Sequence, residues 1–165
     1  MSETAKCRAR LAPYCNGFGL DLGYGGDPIV PWAITFDLER PYANEGDAPQ
    51  NLAGDARDLS IFSDNVFDFV FSSHLLEDFE DTDAVVWEWA RVLKPGGNLV
   101  VYCPDEPRYR KHCTLTGQTY NEAHKLPYFG IDHVRRAISK VRDLYVVHSI
   151  DNVDDYSFEI VARKR

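Results

Sequence analysis

Residues 18–38, FGLDLGYGGDPIVPWAITFDL, decide the fold of this chain. They contain two short apolar runs, Phe18–Leu22 and Trp32–Phe36, on either side of a loop rich in Gly and Pro. Apolar runs this short, bounded by Gly and Pro, predict buried parallel strands. Asp21 lies in the first run and Asp37 follows the second. Because an acid that closes a strand can accept both hydroxyls of a ribose, the stretch predicts a nucleoside site at the carboxyl edge of an α/β sheet.

Two kinds of nucleoside are compatible with this loop. A dinucleotide fingerprint is G-x-G-x-x-G opening a helix, with an acid about 20 residues further on. Here the loop reads G-Y-G-G-D-P, and Asp37 follows Gly23 by only 14 positions. Pro28 and Pro31 interrupt any early helix, so no strong helix N-terminus is offered to a pyrophosphate. The second candidate, S-adenosylmethionine, has no phosphate and needs no such helix. A Gly-rich turn that binds no ligand is the remaining alternative.

Length and composition predict one domain over residues 1–165 with an ordinary apolar core. The net charge of −8 argues against a sequence-independent grip on nucleic acid. No apolar run approaches the roughly 20 residues that a membrane span needs. The N-terminus lacks the apolar centre of a secretion signal.

The four cysteines form no C-x-x-C pair, which favours reduced thiols and a cytoplasmic protein. We predict no metal site, because the spacing of His112, Cys113 and His124 fits no zinc pattern.

The rest of the chain alternates predicted strands and helices. Further strands are predicted at 52–55, 66–71, 98–103, 144–150 and 156–162, and helices at 81–93 and 131–141. The short connection at 151–155 predicts a hairpin and therefore an antiparallel edge. Residues 1–16 are predicted to pack on the sheet or to fray. The polar stretch 104–130 is long for a connection, and we expect it to be a mobile lid over the substrate.

Five blocks of sequence together resemble the class I S-adenosylmethionine-dependent methyltransferases, in particular the ubiquinone/menaquinone-type branch. These blocks are LDLGYGG at 20–26, FDL at 36–38, GDARDL at 54–59, FDFVFSSHLLEDF at 67–79 and EWARVLKPGGNLVVYCPD at 88–105. The resemblance implies a single-domain Rossmann-like α/β methyltransferase fold, with a mostly parallel sheet and an antiparallel C-terminal hairpin. It also implies S-adenosylmethionine as the cofactor.

The same resemblance implies roles for individual residues. Asp21 and the backbone of Gly23, Tyr24 and Gly25 would hold the methionine part of the cofactor, and Asp37 would accept the ribose hydroxyls. The remaining implied site residues are Leu38 on the adenine face, Asp55 and Ala56 at the adenine edge, Ser72 and Ser73 below the sulfonium, and His74 as a catalytic candidate. Asp55 and Asp58 have an ordinary alternative as loop acids, and His74 has one as a capping or packing residue.

The chain departs from the family pattern after Gly26. Asp27-Pro28 stands where a third Gly and a helix start are expected, and no full crossover helix fits before Trp32. This shortening thins the wall at the methionine end. It leaves two interpretations open: a weak cofactor site, or a site that another chain completes, for example in a homodimer.

Three functions are compatible with the sequence. The first is methyl transfer to a small-molecule acceptor or a glycan or lipid precursor, which the intact Asp21, Asp37 and Asp55 favour. The second is a methyltransferase-like binding or interaction module with weak or no catalysis, which the shortened loop favours. The third is a nucleotide-dependent oxidoreductase or transferase, which the missing helix start argues against. Calorimetry with S-adenosylhomocysteine against NAD would separate them.

Overall fold

A seven-stranded sheet forms the centre of the protein in the computed structural model, which describes residues 1–42 and 45–165. The strand order is β3-β2-β1-β4-β5-β7-β6. The strands are β1 (Gly19–Leu22), β2 (Ile34–Asp37), β3 (Leu52–Ala53), β4 (Phe67–Ser73), β5 (Leu93–Pro104), β6 (Leu144–Val153) and β7 (Ser157–Lys164). The first five are parallel, and β7 runs antiparallel to both β5 and β6. The predicted fold, including its C-terminal hairpin, is confirmed.

The described residues form four α-helices, and all but the third contribute side chains to the cores on the two faces of the sheet. They are α1 (Glu3–Leu11), α2 (Thr82–Arg91), α3 (Glu106–Thr116) and α4 (Ile131–Lys140). Alternate side chains of β4 enter different cores, because successive strand residues point to opposite faces. Val70 packs in the core that includes α2 and α4, whereas Phe69 and Phe71 pack in the core that includes α1. The fold is therefore a three-layer α/β arrangement.

The segment before β1 is an ordered helix that sequence reasoning did not predict. The Ser2 hydroxyl caps α1 by accepting a hydrogen bond from the Ala5 amide at 3.0 Å. Cys7 and Leu11 of α1 are fully buried, as is Cys15 beyond it. Of the two alternatives for this segment, packing on the sheet is the one that the structure shows over residues 3–14, and fraying is not. The helix was missed because its composition is basic and polar apart from these few inward positions.

The shortened crossover after β1 is confirmed, since residues 23–33, all within the described part of the chain, form turns and no helix. Gly25 and Gly26 adopt φ values of 56° and 84°, a left-handed conformation that Gly reaches without steric cost. Ile29 and Val30 pack in the same core as α1. The N-terminal helix and this link together cover the sheet face that a crossover helix usually covers.

The stretch 104–130, predicted as a long polar connection, contains α3. The Asp105 side chain caps this helix by accepting from the Arg108 amide at 3.2 Å, and Gly117 ends it with φ 75°. Tyr109 and Cys113 of α3 are buried. The helix was missed because it buries so few apolar positions that no helical period is visible. Strand β5 also starts earlier than predicted, at Leu93.

The helices that the structure describes in residues 1–42 and 45–165 are all too short or too polar to cross a membrane.

Candidate functional site

Two adjoining cavities lie at the carboxyl ends of β1, β2 and β4. Their volumes are about 100 and 120 Å³, and both open to solvent. Both are lined by Gly23, Asp37, Tyr42 and Leu75, so they share a wall. Together they form an elongated site at the edge of the sheet where ligands of open α/β folds bind.

The first cavity joins the glycine loop to the N-terminus of α1. Its lining residues are Ser2, Glu3, Thr4, Gly23, Tyr24, Gly25, Asp37, Pro41, Tyr42, Glu45, Ser73, His74 and Leu75. The Tyr24 side chain is buried, and its hydroxyl donates to the Ala48 carbonyl at 2.9 Å. Tyr24 therefore anchors the segment after β2 with its side chain. The α1 residues at this end were not predicted, because sequence reasoning left that segment without a helix.

The second cavity lies beyond Asp37, toward β3. It is lined by Gly23, Asp37, Leu38, Tyr42, Gly54, Asp55, Ala56, Arg57, Leu75, Asp78 and Phe79. The apolar side chains of Leu38, Leu75 and Phe79 can hold a flat ring between them. Arg57 and Phe79 were not predicted as site residues, although both lie inside blocks that carried the family resemblance.

Asp37 stands at the junction of the two cavities. One Asp37 carboxylate oxygen accepts a hydrogen bond from the Leu38 amide at 2.8 Å. The other oxygen lies 3.4 Å from the Gly25 amide. Burial raises the pKa of the Asp37 carboxyl above its ordinary value, and the two amides counteract part of that rise. The two backbone amides thus fix a partly desolvated acceptor between the cavities.

Asp55 lines the second cavity with its carboxylate already paired. Arg57 donates to both Asp55 oxygens, with its Nε at 2.9 and 3.0 Å and one terminal nitrogen at 2.5 Å. These bonds hold the pKa of Asp55 below its usual range. The Arg57 amide also donates to Oδ1 of Asp55 at 2.9 Å, so both Asp55 oxygens are fully engaged and an incoming amino group would have to displace part of this pairing. The neighbouring Ala56 carbonyl accepts from the indole Nε1 of Trp89 at 2.7 Å, which positions this edge.

Asp21 and Ser72 lie behind the cavities among fully buried residues. One oxygen of Asp21 accepts from the Ile29 amide at 2.6 Å, and its other oxygen has no hydrogen-bond partner in the described part of the chain. Burial raises the pKa of the Asp21 carboxyl to about 8. The Ser72 hydroxyl donates to the Leu22 carbonyl at 3.0 Å. In this structure both residues shape the loop and strand ends, and neither is a wall of the two cavities.

Ser73 and His74 form the floor of the first cavity. The Ser73 hydroxyl is buried and has no hydrogen-bond partner among the described residues. His74 has φ 51°, a left-handed conformation, and its amide donates to the Tyr102 carbonyl at 2.8 Å. Its Nε2 lies 3.3 Å from a Glu3 oxygen and 3.4 Å from the Ser157 hydroxyl. Burial lowers the pKa of His74 to about 4, so the imidazole is neutral at pH 7.

Comparison with known proteins gives this site its context. Residues 20–101 match the family described as methyltransferase domain. Over 117 residues the chain is 34% identical to demethylmenaquinone methyltransferase of Mycolicibacterium paratuberculosis, covering 70% of this chain and 47% of that protein. The chain belongs to the class I S-adenosylmethionine-dependent methyltransferases. The resemblance seen in the sequence is thereby confirmed. The chain spans about half the length of the curated relatives it matches.

Solved structures share the fold over nearly the whole chain. The PH0226 protein from Pyrococcus horikoshii superposes with a TM-score of 0.74 at 20% identity, covering 98% of this chain and 89% of that one. A methyltransferase from Haloferax volcanii, solved in complex with the Trm112 methyltransferase activator, gives 0.67 at 21% identity, covering 98% and 88%. At these identities the likeness establishes the fold alone.

The residues at the cavities are compatible with the family's cofactor. S-adenosylmethionine joins a charged amino-acid end to a nucleoside through a sulfonium. The first cavity offers acidic groups, Glu3 and Glu45, and the unpartnered Ser73 hydroxyl. The junction offers the Asp37 carboxylate, and the second cavity offers apolar walls with an acid at the edge. The donor set therefore suits a cationic nucleoside.

Proposed function

We propose that the protein transfers a methyl group from S-adenosylmethionine to a small-molecule acceptor or a glycan or lipid precursor. The observation that carries the proposal is the Asp37 carboxylate, fixed between an acidic cavity and an apolar one. Asp37 would accept both ribose hydroxyls there. Leu38, Phe79 and Ala56 would contact the adenine, and Asp55 would accept from its amino group.

The methionine end would lie in the first cavity. The backbone of Gly23, Tyr24 and Gly25 forms one wall, and Glu3 of α1 forms another. Glu3 would accept from the ammonium of the cofactor, a role that family motifs do not reveal. Asp21 would act indirectly. It accepts a hydrogen bond from the Ile29 amide and so fixes the conformation of the loop after β1. Ser72 would hold the end of β4 through the Leu22 carbonyl.

When bound, S-adenosylmethionine supplies an electrophilic methyl group with a good leaving group. The protein therefore contributes mainly positioning, by holding acceptor and cofactor in line. A base is needed only where the acceptor must lose a proton. His74 lies in the floor and is neutral at pH 7, so a ring nitrogen has a free lone pair, but with a pKa of about 4 it is a weak base on its own. The Glu3 carboxylate beside Nε2 would stabilise the imidazolium that forms.

The curated relatives suggest a first acceptor to test. They are demethylmenaquinone methyltransferases, so a reduced naphthoquinone with a lipid tail is one representative of the proposed class. The stretch 104–130 would cover the acceptor, because it follows the carboxyl end of β5 beside the site. The prediction of a homodimer that completes the methionine wall remains open to a sedimentation measurement.

Transfer of a radiolabelled methyl group tests the proposal. Purified protein would be incubated with labelled cofactor and, separately, demethylmenaquinol, nucleotide-linked sugars and simple phenols. We expect turnover with at least one acceptor, abolished by Asp37→Ala and retained by Asp58→Ala, an exposed acid outside both cavities. Tight binding of S-adenosylhomocysteine without transfer to any acceptor would contradict the enzymatic proposal and favour the interaction module.

A further inference from the structure

A buried cluster of acidic and imidazole groups lies next to the described cavities. Glu77 and Asp78 belong to a single 3₁₀ turn, Leu76–Asp78, that follows β4. His124 belongs to the segment between α3 and α4, and Glu106 begins α3. The Glu77 and Glu106 side chains are 1% and 0% exposed, and the His124 side chain is 4% exposed. The site described above uses none of these groups except Asp78, which lines the second cavity.

The Glu77 carboxylate lacks a conventional partner. Neither of its oxygens makes a hydrogen bond in the described part of the chain, and the same holds for one oxygen of Asp78. The neighbouring Cys103 thiol, a weak donor, and the Glu77 amide favour the charged form without making a hydrogen bond of normal geometry. Burial raises the pKa of Glu77 well above its ordinary value. Because burying an unpaired carboxylate is costly, such a group is normally paired or coordinates a metal.

His124 is oriented toward Glu77 by a second carboxylate. Its Nδ1 lies 2.7 Å from a Glu106 oxygen, and its Nε2 lies 3.8 Å from a Glu77 oxygen. Glu106 is itself held by Arg110 at 2.7 Å and by the Tyr120 hydroxyl at 2.5 Å. A carboxylate that accepts from one imidazole nitrogen fixes the tautomer and leaves the other nitrogen's lone pair free. Metal-binding histidines almost always have such a partner.

We propose that Glu77, Asp78 and His124 bind one divalent transition-metal ion, with Glu106 orienting His124. Their ligand atoms all lie within 4.8 Å of one another. Tetrahedral metal–ligand bonds of about 2.0–2.2 Å place two ligand atoms about 3.3–3.6 Å apart. Closure around an ion therefore needs the most widely spaced ligand atoms to approach by at most about 1.5 Å, which side-chain rotation can supply. One imidazole with two carboxylates suits Mn²⁺, Fe²⁺ or Zn²⁺ better than Mg²⁺ or Ca²⁺.

The ion would join two parts of the fold that are separate in sequence. The Lys125 amide already donates to the Glu77 carbonyl at 3.1 Å, so the backbones of the two ligand-bearing segments are in contact. The ion would fix residues 118–130 onto the turn after β4. His74 is a further neighbour, with its Nδ1 3.8 Å from the same Glu77 oxygen. The competing account is a protonated Glu77 shared between the two imidazoles, with no metal.

Calorimetric titration of the chelator-stripped full chain with MnCl₂, and separately with ZnCl₂, tests the proposal. We expect one equivalent of at least one ion to bind and to raise the melting temperature. Glu77→Gln and His124→Gln should each weaken binding by at least about tenfold. Glu106→Gln should weaken it by about 10–100-fold, as expected for an outer partner. His112→Gln is the matched control, because His112 packs on Tyr156 away from the cluster.

Two results would overturn the metal site. The first is that neither ion binds the wild-type protein at submillimolar concentration. The second is that Glu77→Gln and His124→Gln bind as tightly as His112→Gln. Loss of metal binding in Glu77→Gln can be distinguished from loss of folding. This variant removes a buried carboxylate, so without metal it should melt at a temperature no lower than that of the metal-free wild type. Either overturning result would leave a shared proton as the account of the cluster.

Discussion

Three acids of the predicted cofactor site differ in what holds them. Asp37 is held by backbone amides between two cavities, Asp55 is paired with Arg57, and Asp21 is buried against the Ile29 amide. Sequence patterns select all three equally, since each closes or follows a strand. Their partners arise from side-chain packing that no local pattern encodes. The sequence therefore predicts which acids gather at the sheet edge, but not which of them face the cavities.

Asp55→Asn should reduce selectivity for adenosine over inosine derivatives. The amide keeps an acceptor but adds a donor that competes with the adenine amino group. Loss of the exposed pair with Arg57 should cost only about 0–1 kcal/mol of folding stability. Competition between S-adenosylhomocysteine and its inosine analogue would measure the selectivity, with Asp58→Asn as the control in the same loop. Equal selectivity in both variants would reduce Asp55 to an ordinary loop acid.

Asp21→Asn should change how stability depends on pH. The pKa of Asp21 is about 8 in the folded protein against 3.8 as its ordinary value, so the folded state retains a proton that the unfolded state has released. The contribution of Asp21 to the free energy of unfolding of the wild type therefore falls as the pH rises from about 4 to about 8. The decrease is at most about 1.4 kcal/mol per pH unit. The asparagine can still accept from the Ile29 amide.

Urea unfolding of both proteins at pH 5, 6.5 and 8 would test this expectation. The stability of Asp21→Asn relative to wild type should increase steadily with pH and level off above pH 8. A difference that is the same at all three pH values would contradict the assignment of a buried, protonated Asp21.

At the level of elements, predictions succeeded where burial is dense. Strand β4 is buried along nearly its whole length, and α2 presents Val85, Val86 and Trp89 to the core, so each has a clear apolar signal. Helices α1 and α3 have little such signal. They are stabilised by side-chain caps and by a few inward residues such as Leu11 and Tyr109. A helix that buries one narrow stripe is hard to distinguish from a polar connection.

The presence of α3 sharpens the proposal that residues 104–130 act as a lid. Because α3 buries Glu106, Tyr109 and Cys113, its amides should exchange slowly in the free protein. Residues 117–128 should exchange faster and become protected when S-adenosylhomocysteine and an acceptor are both present. Hydrogen exchange with and without these ligands would measure it. Fast exchange over 117–128 with a turned-over acceptor bound would rule out the lid.

For the whole molecule, the order of the motifs decided the fold. A glycine loop, an acid after the second strand and R-V-L-K-P-G-G before a buried strand identify the family together, although each is weak alone. The cover of the first cavity could not be predicted this way. In this chain Glu3 and its helix, rather than a crossover helix after β1, line this side of the first cavity. The family motifs do not predict this replacement of one helix by another, because Glu3 and its helix lie outside the motifs.

Calorimetric titration with S-adenosylhomocysteine, with NAD as the comparison ligand, tests the central claim most directly. The wild-type chain and Asp58→Ala should bind S-adenosylhomocysteine at one site and show no binding of NAD. Asp37→Ala should bind about tenfold or more weakly, because losing a charged acceptor for the ribose hydroxyls costs roughly 1.5–3 kcal/mol. Equal affinity of folded Asp37→Ala and wild type, or preferential binding of NAD, would contradict the account.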